Sequence, residues 1–212
     1  MRSLTTLAAF LALGVSAFAV GPVPRPAKEF EFVDAAGKHT LLSSYKGKVV
    51  LIQFLLTTCP HCQAMSRDVL NKLQTEFGPK GFQALGVVFN DPEPGGRSSK
   101  ADMAKDYQAG MSNSGSNRNQ FSSVPMNFPI SYASRETILS FIEASVMDRL
   151  MFPHVAVIDK KGQVRDESKT EGTSDLQNEA YLTNLIGSLL KESGTSSSTT
   201  KKAPVVASTV AK

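Results

Sequence analysis

Apolar residues crowd most densely at Val49-Val50-Leu51-Ile52-Gln53-Phe54-Leu55-Leu56, where Gln53 is the single polar interruption. A run of this kind, entered from the turn Ser43-Ser44-Tyr45-Lys46-Gly47-Lys48, reads as a buried central strand. The spacing beyond it predicts a helix over 63–77, stopped by Gly78-Pro79-Lys80-Gly81, and then a second buried strand over 82–89. Upstream, Phe30-Glu31-Phe32-Val33 alternates, meets the turn Asp34-Ala35-Ala36-Gly37 and continues over 39–42, which predicts an opening hairpin.

Regular patterning lapses over 91–120. Asp91-Pro92-Glu93-Pro94-Gly95-Gly96 reads as a loop, and 99–108 as a helix with Ser99 as its cap. The Ser-, Asn- and Gly-rich stretch 110–119 reads as mobile padding. Structure resumes with a strand or extended piece at 128–132 and a helix from Ser134 to about residue 145, with Ser134 and Thr137 spaced for capping. A hairpin follows, with strands at 155–159 and 163–165 joined by Lys160-Lys161-Gly162. The last helix, 175–190, carries Leu182, Leu185, Ile186, Leu189 and Leu190 on one face. Strands that alternate with helices and close in a hairpin predict an α/β domain: a central mixed sheet flanked by helices, extended by the N-terminal hairpin.

The ends change the picture of where this domain works. Arg2, an apolar stretch over 4–20 and Ala17-Phe18-Ala19 have the order of a secretory signal peptide, residues 1–19, cleaved after Ala19. No other stretch is long and apolar enough to span a bilayer. The expected location is therefore extracytoplasmic, periplasmic or secreted, where disulfides persist. Residues 191–212 are Ser/Thr-rich with Lys201, Lys202 and Lys212 and no aromatic residue, the composition of a disordered tail. Between them, 20–190 is one domain of about 170 residues, large enough for a sizeable core.

The net charge of +4 belongs to these ends. Of 23 basic and 19 acidic residues, Arg2, Lys191, Lys201, Lys202 and Lys212 account for five and Glu192 for one, which leaves 18 of each in the domain. A neutral domain gives no ground for nucleic-acid binding.

The chemistry lies in the only two cysteines, in Cys59-Pro60-His61-Cys62. The buried strand delivers Cys59 to a helix N-terminus, and Pro60 suits a first helical position because its missing N–H would have no partner there. Unpaired amides and the positive dipole end stabilise a thiolate at Cys59, and thiolates are the attacking species in disulfide exchange. Cys62, one turn on, shares its helix face and can resolve the mixed disulfide. A structural zinc site would need a second ligand pair, and His39 and His154 lack ligand spacing. A haem attachment fails because residue 63 is Gln. A purely structural disulfide stabilises little across so short a loop. Reversible thiol–disulfide exchange is the expected activity, with no metal and no organic cofactor.

Phe32-Val33-Asp34-Ala35-Ala36-Gly37-Lys38, Lys46-Gly47-Lys48-Val49-Val50-Leu51, Thr58-Cys59-Pro60-His61-Cys62 and Phe152-Pro153-His154-Val155-Ala156-Val157-Ile158-Asp159 together resemble the thioredoxin-like superfamily. The resemblance is to its secreted thiol–disulfide oxidoreductases of the TlpA/ResA type, grouped with redoxins. It covers about residues 25–190 and implies a thioredoxin-like fold. It also implies a cis peptide at Pro153, with Phe152 and Pro153 beside the cysteine pair, where with Pro60 they hold substrate backbone. Cysteine-containing exported proteins would be the substrates, and a membrane redox protein would recycle the pair.

The chain departs from that pattern at Thr58, where relatives carry Trp, and at Met65, acidic in some of them. Gln53 stands where thioredoxins bury an Asp, and a neutral amide cannot accept the Cys62 proton as a carboxylate does. Pro-His is also the dipeptide between the cysteines of DsbA, whose thiolate is strongly stabilised. His61 is therefore expected to tune the potential by placing a donor or positive charge near Cys59. Two other activities compete with disulfide exchange. A peroxiredoxin-like peroxidase typically uses Pro-x-x-x-Thr-x-x-Cys, which neither cysteine matches. A Cu(I)-binding module would use Cys59 and Cys62, with His154 as a candidate third ligand.

Overall fold

The computed structural model describes residues 22–96, 98–114, 117–169 and 175–193. The expected signal peptide lies outside them, as does the 191–212 tail beyond residue 193. Among the described residues no helix is long and apolar enough to cross a membrane.

A two-residue strand β1 (Arg25–Pro26), which the pattern did not suggest, precedes the predicted hairpin of β2 (Glu31–Asp34) and β3 (His39–Leu41). The central strand β4 (Val49–Leu55) leads to α1 (Pro60–Ala64). A π-type stretch (Met65–Leu70) and α2 (Asn71–Phe77) continue α1 without a break. After β5 (Phe82–Val88), α3 (Lys100–Gln108) begins at a capping box in which Ser99 and Asp102 satisfy each other's backbone N–H.

The stretch expected to be padding is instead paired. Strands β6 (Met111–Ser114) and β7 (Asn117–Gln120) form a hairpin in register from Met111 opposite Gln120 to Ser114 opposite Asn117. Backbone pairing needs no apolar alternation, so a polar hairpin leaves little trace in the sequence pattern. Phe121, just after it, packs on Tyr107 of α3 with ring centroids 4.8 Å apart.

Then follow β8 (Ile130–Tyr132), α4 (Arg135–Phe141), β9 (His154–Ile158), β10 (Gln163–Glu167) and α5 (Glu179–Lys191). Helix α4 is capped by Ser134 as expected but stops about one turn early. The final helix is divided: Asp175–Gln177 is a 3-10 turn, and Asn178 accepts the Tyr181 N–H to start α5. Glu192, just past it, bonds Arg165 at 2.8 Å.

One eight-stranded sheet has the order β1-β10-β9-β4-β5-β8-β2-β3. It is mixed: β4–β5 and β5–β8 are parallel, joined by helical crossovers, while β9 runs antiparallel to β4. The fold is thioredoxin-like, with helices on both faces and the opening hairpin added at one edge through β2–β8 pairing.

Strand alternation splits the core in two. Val49, Leu51 and Leu55 point to the side carrying Leu70, Leu73, Met103, Tyr107, Leu182 and Ile186. Val50, Ile52 and Phe54 point to the other, among Phe30, Phe32, Ile138 and Phe141. Burying an aliphatic or aromatic side chain of this size stabilises by about 1.5–3 kcal/mol, so β4 is the strand on which both layers depend. Its alternation also aims Gln53 toward the layer that holds Cys62.

Candidate active site

Strand β4 ends at Leu55, and four residues later Cys59 is the N-cap of α1, with extended backbone at φ −77° and ψ 117°. The intervening loop is pinned from two sides. Thr57 donates its N–H to Asn90 Oδ1 at 3.0 Å, and Gln63 Nε2 donates to the Thr57 carbonyl at 2.8 Å. Cys59 N–H closes a turn on the Leu56 carbonyl. These bonds fix where the first sulfur emerges.

Cys59 is half-buried and Cys62 fully buried, and both are free thiols. Cys62 donates its backbone N–H to Cys59 Sγ at 3.4 Å. The Cys59 thiol is lowered to about 6, chiefly because the Cys62 side chain hydrogen-bonds its sulfur. Partial burial opposes this; the backbone N–H groups of Cys62 and His61 assist, and the charge on His61 contributes least. Burial, reinforced by the neighbouring Cys59 sulfur, pushes the Cys62 thiol far up. One sulfur is thus an available thiolate near neutral pH, and the other stays protonated until a partner takes its proton.

Pro60 and His61 are exposed on the first turn. The Phe152–Pro153 peptide is cis, and the Phe152 carbonyl lies 3.8 Å from Cys59 Sγ. Phe152 is held by Phe89 at a centroid distance of 4.8 Å, and Arg135 stacks over the opposite partner of that pair, Phe89, at 4.8 Å. The structure therefore brings Cys59, Pro60, His61, Cys62, Phe152 and Pro153 to one end of the sheet.

It does not bring His154 there. His154 sits opposite Phe54 in the β4–β9 register and packs on that ring, on the far side of the sheet from Cys62. Its Nε2 lies 3.4 Å from Glu167, whose other oxygen accepts Arg25 Nη2 at 2.8 Å; all three are buried. The strand alternation that aims Val155 at the cysteine side turns His154 away. Among the described residues no group of three His, Cys, Asp or Glu side chains could hold a metal ion.

Sequence reasoning singled out Gln53 but missed the polar groups joined to it behind the cysteines. Gln53 Nε2 donates to the Cys62 carbonyl at 3.0 Å, and Ser66 Oγ donates to Gln53 Oε1 at 2.7 Å. Tyr107 OH lies 3.0 Å from the same hydroxyl. Gln53 within an apolar run was the available signal, whereas Ser66, Tyr107, Asn90 and Gln63 carried none.

The Redoxin family model matches residues 22–185, and the chain belongs to that family. Among curated proteins, "Probable glutathione peroxidase 8-B" of Xenopus laevis is 38% identical over 79 residues, 36% of this chain and 37% of that protein. The chain thus matches little more than a third of the length of that relative. Among solved structures, a thiol:disulfide interchange protein of Chlorobium tepidum superposes with a TM-score of 0.52 at 20% identity, covering 81% of this chain and 99% of that one. The thioredoxin domain of a thiol-disulfide oxidoreductase from Bacteroides vulgatus gives 0.52 at 19% identity, covering 77% and 96%. At such identities these two structures bear on the fold.

Proposed function

We propose that this member of the Redoxin family is an extracytoplasmic thiol–disulfide oxidoreductase that exchanges disulfides with exported proteins through Cys59 and Cys62. The observation that carries the reading is the inequality of the two sulfurs. Cys59 is accessible, with its thiol lowered to about 6, while Cys62 is buried and raised. Cys59 attacks a substrate disulfide, and Cys62 then displaces the substrate from Cys59. Phe152 and Pro153 offer backbone beside the sulfur, where an extended substrate segment can lie. The signal-like pattern of residues 1–19 supports the location, and a membrane redox protein would return the pair to its working state.

The magnitude of the Cys59 shift bears on direction. A thiol lowered to about 6 is mostly ionised at neutral pH, which favours the dithiol by about tenfold over an ordinary pair, or about 30 mV. About 150 mV separates thioredoxin from DsbA, so a strong oxidant would need far more stabilisation. Thiolate stabilisation of this size does not by itself supply the DsbA-like poise that His61 suggested.

Trapping tests the proposal. A Cys62→Ser variant should accumulate mixed disulfides with cysteine-containing exported proteins, and a Cys59→Ser variant none. Absence of adducts with the first variant would remove the exchange reading.

The likeness to a glutathione peroxidase supports one second reading, reduction of peroxides. There the Cys59 thiolate takes one peroxide oxygen to become a sulfenic acid and releases water or an alcohol. Cys62 then condenses with it, releasing water and leaving the disulfide. Peroxide-dependent loss of free thiols in the wild type but not in Cys59→Ser would select this reaction.

A further inference from the structure

Gln53 is the single polar residue of β4, and it is completely buried. An amide in that position is tolerated only with its hydrogen bonds made. The Cys62 carbonyl can only accept, so it takes the Nε2 of Gln53, which turns Oε1 toward Ser66. The Ser66 hydroxyl spends its one proton on Oε1, so its oxygen must accept from Tyr107. The bonds therefore run one way, from Tyr107 through Ser66 and Gln53 to the backbone of Cys62. None of the four residues is more than 1% exposed.

This relay meets the helix where its ladder changes. Met65 N–H reaches both the Cys62 and His61 carbonyls, the π-type stretch begins at Met65, and Asn71 N–H donates to Ser66 O five residues back. Wide turns of this kind recur at functional sites. Just before this one, Gln53 reaches the carbonyl of the residue whose sulfur must turn toward Cys59.

We propose that Gln53, Ser66 and Tyr107 are positioning residues for the resolving thiol, and that α3 delivers Tyr107 to them. The proposal rests on the reading of Cys62 as the resolving residue. In the step concerned, a substrate sulfur is bonded to Cys59 Sγ. Cys62 sulfur attacks Cys59 Sγ, the Cys59–Cys62 bond forms and the Cys59–substrate bond breaks. Its electron pair leaves with the substrate sulfur, which takes up the proton that Cys62 gives up. The substrate is reduced and the cysteine pair oxidised. Tying the Cys62 carbonyl to β4 fixes the backbone from which that buried side chain swings. None of the relay's hydrogen bonds goes to a carboxylate, so it orients Cys62 and does not take its proton.

Single-turnover reaction of the reduced protein with dithionitrobenzoate separates the steps, because the first coloured thiol released reports capture by Cys59 and the second reports resolution by Cys62. Tyr107→Phe should slow the second release about threefold and Gln53→Met about tenfold, with the first release unchanged. Wild-type resolution in Tyr107→Phe and Gln53→Met overturns the proposal. So does equal slowing of both steps together with a lower Tm, which marks a packing role. Should Gln53→Met fail to fold, Tyr107→Phe and Ser66→Ala carry the test. Cys62→Ser is the control: a second release at the wild-type rate there would overturn the resolving role itself, and the relay with it.

Discussion

The backbone N–H of Cys62 points at the Sγ of Cys59 from 3.4 Å, so one cysteine stabilises the anion of the other while its own thiol stays buried and protonated. Both effects come from a single helical turn. The acidic sulfur is at the open end of the helix, and the reluctant one is a turn inside.

Alkylation should expose this difference. The rate of Cys59 modification by iodoacetamide should rise with a midpoint near pH 6 and level off above neutrality. Cys62 should react only when the chain is unfolded. Mass mapping that finds Cys62 as the faster thiol would reverse the two roles.

The reduction potential should bend with pH at the same point. Below about 6 both thiols are protonated on reduction, and the potential should fall by about 59 mV per pH unit. Above it only Cys62 takes a proton, and the slope should halve to about 30 mV. A single slope from pH 5 to 8 would mean that Cys59 is an ordinary thiol.

Stability of the dithiol form should follow the same groups. Cys59 has a folded value below its unfolded one, so its stabilisation is present at alkaline pH and is lost as pH falls toward 6. Cys62 is raised on folding, so its effect is opposite and removes stability above about pH 8.5. The Tm of the reduced protein relative to the oxidised one should therefore climb from pH 6 and turn over near 8.5.

Replacing His61 with Ala should do less than its place between the cysteines suggests. The imidazole is exposed and its charge is the smallest contribution to the Cys59 shift, while the backbone N–H survives the substitution. Thiolate absorbance should move the Cys59 midpoint upward by less than about half a unit, and by less again at high salt. A shift of two units would restore His61 as the principal tuner.

Arg25 and Glu167 form a buried pair at 2.8 Å with His154 alongside. Arg25→Met should cost about 3–5 kcal/mol in urea denaturation, because it leaves a buried carboxylate without its cation. Adding Glu167→Gln should recover much of that loss. Equal destabilisation by the single and double variants would show that packing of the Arg25 stem is what counts.

What could be read from the chain follows from the range of each interaction. The apolar runs of β4 and β5, the Ser134 cap and the Cys59–Cys62 spacing are local, and all appear where the sequence put them. The cis Phe152–Pro153 peptide was legible only through a resemblance, since nothing local marks it. The polar hairpin β6–β7 and the two-residue β1 have no apolar period to detect. Gln53 was visible as an oddity, but Ser66 lies 13 positions from it and Tyr107 lies 41 positions from Ser66, and only the fold relates them. His154 faces away from the cysteines, which its adjacency to Pro153 could not show, because sequence neighbours on β9 take opposite faces.

The sheet's two outer strands have a further consequence. One edge is only Arg25–Pro26, where Pro26 has no N–H to offer, and the other is the three-residue His39–Leu41. Rims this short, one of them closed by a proline, give a passing extended chain little unpaired backbone to zip onto. The proposed exchange with exported proteins would bring such chains to the molecule before they have folded. Blunt borders would then keep them from adding to its sheet, and leave the sulfur-bearing end as the place where contact is productive.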